Sequence, residues 1–201
     1  MTAVTDVLSR VVIVGRPNVG KSSLFNRVYG ERRAIVEDEP GTTRDRVEAD
    51  VEWQDVRFRL IDTGGYETDA ENVYAPRIVE QIKTARDGAA VVLVCVDARD
   101  GLTASDYDMA EVVRRANRPT LVVATKADNE RRELTGIAEA SSLGLGEPMP
   151  VSAMHDINVG LLLDEVIKLL PADTTLVESD RVRVAIIGRP NVGKSMLVNS
   201  I

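Results

Sequence analysis

The chain is poor in the residues that mark disulfide scaffolds, metal clusters and membrane spans. It has one cysteine, Cys95, and one histidine, His155, which excludes an internal disulfide framework and leaves a Cys/His metal cluster without ligands. No apolar run approaches the roughly 20 residues needed to span a bilayer. Residues Met1 to Arg10 lack the apolar core of a signal peptide. The expectation is a cytoplasmic protein with no membrane association. Positive charge is also in deficit: 25 Lys and Arg face 32 Asp and Glu, a formal net charge of -7. Such a chain repels phosphate backbones, and Arg32-Arg33, Arg114-Arg115 and Arg131-Arg132 are too scattered to form one basic patch, so no direct nucleic-acid site is evident. What remains, 44% apolar and 28% charged residues over 201 positions, is enough for one well-buried domain with an appendage.

One internal repeat stands out. VVIVGRPNVGKSSLFNRV, beginning at Val11, returns as VAIIGRPNVGKSMLVNSI, beginning at Val184, and the segment GRPNVGKS is identical in both copies. Residues 1–170 read as a first complete domain, 171–181 as a polar linker, and 182–201 as the opening strand, loop and helix start of a second unit. One strand and one helix cannot bury their own apolar face, so this second segment is expected to be loosely held, or to pack on the first domain or on another chain.

Between the copies, short apolar runs alternate with helical patterns. Val11 to Val14, Ala89 to Val96, Leu121 to Ala124 and Met149 to Val151 read as buried strands. Residues 47–53 and 56–60 alternate with period two around Gln54-Asp55 and predict an antiparallel hairpin that carries Trp53 as a packing residue. Met109, Val112, Val113 and Ala116 follow the possible cap Thr103, and Val159, Leu162, Leu163, Val166 and Leu170 precede Pro171, each set at helical spacing. The fold class that follows is α/β: a three-layer α/β/α sandwich with a mostly parallel sheet and one antiparallel edge strand.

Gly15 to Ser22 matches the Gly-x-x-x-x-Gly-Lys-Ser/Thr phosphate loop and lies between a predicted strand and a predicted helix. Gly15 and Gly20 let the backbone curl so that the N–H groups around Asn18, Val19, Ser22 and Ser23 face phosphate oxygens. Lys21 is placed to neutralise the β- and γ-phosphates, and the Ser22 hydroxyl to ligate magnesium. Farther on, Asp62-Thr63-Gly64-Gly65 leaves a strand with Asp-x-x-Gly spacing, which suits a carboxylate holding magnesium through water and a Gly65 N–H that reports on the γ-phosphate. Thr125-Lys126-Ala127-Asp128 leaves a later strand. There the carboxylate of Asp128 can accept from both N1–H and the exocyclic amine of guanine, a pair that adenine does not offer, while Lys126 lays its stem across the base. Cys95, inside a strand run, reads as a core residue, and His155 has no metal-ligand company.

The order GRPNVGKS, PGTTRD, DTGG, TKAD and VSAMHD resembles the Era-like, translation-factor-type GTPases. The repeat is similar to their tandem ribosome-assembly branch, which has two consecutive G domains followed by a KH-like domain that engages ribosomal RNA. That resemblance implies GTP and GDP as ligands, magnesium as cofactor, potassium as a possible second cation, and the large ribosomal subunit as partner. Residue by residue it implies Thr43 as the switch-loop magnesium ligand, with Thr42 as the alternative, and Lys21, Thr43 and Gly65 as the catalytic set. It also implies Ser152, Ala153 and Met154 as the loop that meets guanine O6 through backbone N–H groups, and Asn18 as a potassium ligand. Gly188, Asn191, Val192, Gly193, Lys194 and Ser195 repeat the phosphate loop without the other motifs, so they form an incomplete site not expected to hold nucleotide tightly. Two positions depart from the family pattern. Thr125 replaces the usual asparagine, which implies a weaker tether between this loop and the phosphate loop. Tyr66 stands where Ras-type enzymes place a water-orienting glutamine, which implies slow intrinsic turnover aided by potassium.

The leading expectation is a GTP-hydrolysing switch. A guanine-nucleotide binder with negligible turnover is the alternative, and an ATP-using enzyme is disfavoured by Asp128. Replacing Asp128 by Asn is expected to shift preference from guanine to xanthine nucleotides in competition binding; an unchanged preference would remove Asp128 from base recognition.

Overall fold

A computed structural model of the chain describes residues 8–30, 47–63, 88–128 and 130–172. Expectations for Thr42, Thr43, Gly64, Gly65, Tyr66, the acidic stretch 37–39 and the second loop at Gly188, Asn191, Val192, Gly193, Lys194 and Ser195 lie outside the described residues.

The layers follow from side-chain alternation. In β1, Arg10–Val14, the odd residues Val11 and Ile13 enter one apolar cluster and the even residues Val12 and Val14 enter another. Successive strand side chains point to opposite faces, so a strand apolar at both parities must be covered on both sides. The first face carries α1, Lys21–Val28, through Leu24, Phe25 and Val28. Also on it is α4, Val159–Leu169, through Val159, Leu162, Leu163 and Val166. The second face carries α2, Ala104–Ala116, through Met109, Ala110 and Val113. It also carries α3, Glu130–Ser141, through Ala140.

The remaining strands are β2, Val47–Trp53; β3, Val56–Asp62; β4, Ala89–Asp97; β5, Thr120–Thr125; and β6, Met149–Val151. The sheet order is β2-β3-β1-β4-β5-β6. Every neighbouring pair is parallel except β2 with β3, so the single antiparallel strand sits at the edge as expected. Its hairpin turns on Gln54 and Asp55, at φ +48° and +64°, the left-handed pair that matches the twist of the flanking strands. The Trp53 indole N–H donates to Asp164 Oδ1 at 2.7 Å, pinning the hairpin tip to α4, so the packing role expected of Trp53 has a polar anchor as well.

Local signals account for most boundaries. Thr103 and Asp106 form a capping box at the start of α2, with Asp106 accepting from the Thr103 N–H at 2.8 Å, and Asn117 closes the helix at φ +49°. The helix α3 has no counterpart in the sequence reading. Its Gly136 weakens the helical pattern, and packing explains it: a Cβ there would come 2.5 Å from the Ala98 Cβ.

Leu162 is 1% exposed and its neighbour Leu161 is 57% exposed. Leu162→Ala is therefore expected to cost about 2–5 kcal/mol. Leu161→Ala should stay within about 0.5 kcal/mol, both read from urea unfolding.

Candidate functional site

The parallel strands deliver their C-terminal ends to one rim, where open α/β sheets bind ligands. Gly15 follows β1 so closely against β4 that a Cβ would lie 2.5 Å from the Cys95 carbonyl oxygen, so only glycine fits. Asn18 at φ +64° and Gly20 at φ +94° then curl the loop. Gly20 is the N-cap of α1, with no side-chain cap and no acidic residue in the first turn. The N–H groups of that turn and the positive end of the helix dipole are thus left for an anion. Lys21, 3% exposed, donates from Nζ to the Arg16 carbonyl at 2.8 Å, folding a buried cation across the loop mouth. Ser22 and Ser23 are exposed on the same turn. The Val19 side chain is fully buried in the core, so its part in ligand binding is restricted to backbone.

Pairing of Ile13 with Asp62 sets the Asp62 carboxylate one strand away from this loop, 2% exposed. The neighbouring Thr63 hydroxyl donates to the Ile13 carbonyl at 2.7 Å and locks the two strand ends together. Burial pushes the Cys95 thiol beneath them up to about 12, with the Lys21 charge pulling it down and the Asp62 charge adding to the rise. Cys95 is therefore an inert core residue, as its strand position implies. Among the described residues no group of three or more His, Cys, Asp or Glu side chains could hold a metal by itself. One buried carboxylate at the end of β3 and an exposed serine hydroxyl in the first turn of α1 instead suit magnesium, which binds through one or two protein oxygens and completes its shell with water and substrate phosphates.

At the other end of the rim, Gly20, Ser23 and Leu24 join Arg99, Thr125, Lys126, Asp128 and the 151–154 segment around a cavity of about 180 Å³. That is room for a group the size of a nucleobase. The Thr125 hydroxyl stands within hydrogen-bond reach of the Val19 carbonyl and lies 2.8 Å from that of Val96. The hydroxyl has one proton for these two carbonyls, so the threonine can reach the phosphate loop only in competition with its neighbour on the adjacent strand. Lys126, at φ +58°, donates from Nζ to the Asn18 carbonyl at 2.7 Å and to Asp97 Oδ2 at 2.5 Å, which stretches its stem along one side of the cavity. Ser152, Ala153 and Met154 line the cavity, but the Ser152 N–H donates to the Ile157 carbonyl at 3.1 Å. Of the backbone donors expected to meet guanine O6, that one is committed inside its own turn, which the Ser152 hydroxyl closes further by accepting the His155 N–H at 3.3 Å. His155 is accordingly a turn residue.

Three residues absent from the sequence reading belong to this site. Asp97, with a fully buried side chain, accepts from the N–H groups of Arg99 at 2.8 Å and Asp100 at 3.3 Å as well as from Lys126. Burial alone would raise its pKa; the Lys126 hydrogen bond, the backbone donors and the Lys126 charge outweigh burial and hold it below its ordinary value of 3.8. Arg99 pairs with Asp128 Oδ2 at 2.5 Å. Arg27 on α1 reaches the carbonyls of Ala153 at 2.5 Å and Met154 at 2.9 Å and clamps the 151–154 segment to the helix. The sequence signal for Asp97 was an acidic residue ending an otherwise apolar strand run; for Arg27 nothing short of the fold would have served.

A family model described as "50S ribosome-binding GTPase" matches residues 10–126 and 183–201. The chain is 51% identical over 192 residues to GTPase Der of Desulforamulus reducens, covering 95% of this chain and 43% of that protein. It is 50% identical over 192 residues to GTPase Der of Prochlorococcus marinus, covering 95% and 42%. The chain thus spans less than half the length of these relatives. Among solved structures, Aquifex aeolicus Era bound to GDP and aluminium fluoride superposes with a TM-score of 0.65 at 29% identity, over 88% of this chain and 62% of that one. Era in complex with MgGDPNP and a segment of 16S ribosomal RNA gives 0.64 at 30% identity, over 87% and 61%. Among the described residues no helix is long and apolar enough to cross a membrane.

Because the Asp97 pKa is lowered in the folded state, its charge contributes stability that is complete above the unfolded value near 3.8 and fades as pH falls through the lower folded value. Asp97→Asn is expected to lower the urea midpoint at neutral pH, with the gap to the unaltered chain closing toward pH 3. A gap of constant size down to pH 3 would mean that the carboxylate does not stabilise as a charge.

Proposed function

The chain belongs to the 50S ribosome-binding GTPase family, and from that premise we propose that it binds GTP with magnesium, hydrolyses it to GDP and phosphate, and uses the bound nucleotide as a switch. The observation that carries this reading is the cavity shared by Gly20, Thr125, Lys126, Asp128 and Ser152, opening directly beside the uncapped start of α1. It supports the reading because the Asp128 carboxylate and the open end of α1 share one rim, joined by the Thr125 and Lys126 contacts to the loop.

In this mechanism the α1 N-terminus and the loop amides receive the β-phosphate, and Lys21 leaves the Arg16 carbonyl for the β- and γ-phosphate oxygens. Ser22 and Thr43 would hold magnesium directly and Asp62 would hold it through water; the ion would supply neutralising charge to the phosphates. A water oxygen forms a bond to the γ-phosphorus as the bond to the β–γ bridging oxygen breaks, the leaving electron pair settles on GDP, and the water's proton passes to an oxygen of the released phosphate. Asn18 would hold a potassium ion, which would supply positive charge where other enzymes use an arginine. Thr43 and the Gly65 N–H sense the γ-phosphate, so its loss releases their segments.

Residues 1–170 form the first G domain in this reading. The end of α4 at Leu169 and the following Leu170 cap support that boundary. Residues 171–181 are the linker, and 182–201 open a second G domain, a division to which the separate family match at 183–201 lends support. The cellular role is assembly of the large ribosomal subunit in the cytoplasm, supported by the family description and by the Der relatives.

A second reading, guanine-nucleotide binding with negligible turnover, is favoured by Tyr66, which stands where Ras-type enzymes place a water-orienting glutamine. Single-turnover phosphate release separates the two. Titration with GTP, GDP and ATP in magnesium is expected to show binding of the guanine nucleotides and none of ATP at matching concentrations. Phosphate release should be slow in sodium and faster in potassium; equal rates in the two salts would sink the role of Asn18 and the cation.

A further inference from the structure

Arg99 lines the base cavity and donates to Asp128 Oδ2 at 2.5 Å. Guanine presents two donors, N1–H and the exocyclic amine, and a carboxylate meets them with both oxygens. One of those oxygens faces Arg99 in this structure. The two side chains differ in freedom, because that of Asp128 is 15% exposed and that of Arg99 is 43% exposed. Asp128 is held in the rim, whereas the guanidinium can swing into water. Only its side chain would move, since the Arg99 N–H is fixed to the buried Asp97 carboxylate. The same turn receives Arg16 of the phosphate loop, whose guanidinium donates to the Gly101 carbonyl at 3.2 Å and lies 3.2 Å from Asp106.

We propose that Arg99 is a gate on the guanine subsite: it pairs with the base-reading carboxylate of Asp128, and incoming guanine binds by displacing it. The gate rests on the assignment of Asp128 to the base. A pair this exposed is worth little in water, so the gate is shallow, and a ligand with two matched donors opens it. A base that cannot offer both donors leaves part of the ion pair's energy unreplaced, so the arginine acts against poorly matched bases. The anchoring of the turn at Asp97 and Arg16 returns the guanidinium to the same place each time the nucleotide leaves.

The test is a double-mutant cycle read by GDP titration of four proteins: the unaltered chain, Arg99→Ala, Asp128→Ala and the double variant. The Asp128→Ala background reports whatever Arg99 does by long-range attraction to phosphates, and the cycle subtracts it. Relative to that background, Arg99→Ala should tighten GDP binding by roughly two- to five-fold where Asp128 is present, with the difference shrinking as salt rises. An equal effect of Arg99→Ala in both backgrounds, or a specific weakening where Asp128 is present, overturns the gate while leaving the guanine assignment standing. Failure of the unaltered chain to bind GDP overturns the guanine assignment and the gate together.

Discussion

One ammonium group joins the three loops on which the rim depends. Lys126 Nζ is shared between the Asn18 carbonyl of the phosphate loop and the Asp97 carboxylate at the end of β4. Asp97 is buried to zero side-chain exposure, and a carboxylate in that position is tolerable only because it is ionised against a cation and two backbone N–H groups. The need to satisfy Asp97 therefore shapes the 97–101 turn and the direction of Lys126 at once. A residue at φ +58° is unusual for lysine, and here it lets the side chain lie back over the strand ends.

Around that junction the two halves of the site are set by different physics. The phosphate half is made of backbone: a glycine forced by the Cys95 carbonyl, an uncapped helix end, and a lysine whose own partner is a carbonyl of the loop. Such a cradle needs no side chain specific to one nucleotide. The base half is made of side chains held by other elements, with Thr125 in reach of the loop, Asp128 met by Arg99, and the 151–154 segment clamped by Arg27. In the proposed reading selectivity sits on that half, where each group depends on a partner distant in sequence.

The sheet explains why these halves stay in register. Asp97 pairs with Thr125 and Thr125 with Val151, so the turns that follow β4, β5 and β6 start at one level. The Thr63 hydroxyl bond to the Ile13 carbonyl holds β3 to β1 in the same way. With both faces covered by helices, strand ends cannot shift relative to one another without opening the core. The rim is rigid around the cavity proposed for the base.

The amino-acid sequence alone determined the alternating α/β class, the hairpin edge, the phosphate loop between strand and helix, and Asp128 as the base-reading candidate. Those features are local: period-two and helical spacing, turn chemistry at Gln54-Asp55, and short motifs whose chemistry is contained in consecutive residues. Sheet order, the helix α3 and the supports of the site were decided by the tertiary structure. Gly136 hides α3 from a local reading because its reason is the approach of Ala98, and Arg27 reads as one more helix cation until α1 packs beside Ala153 and Met154. The commitment of the Ser152 N–H to Ile157 is likewise a matter of how a turn closes. Long-range hydrogen bonds and ion pairs leave no periodicity in the chain, so the residues that hold a site in place become visible only when the fold brings their partners together.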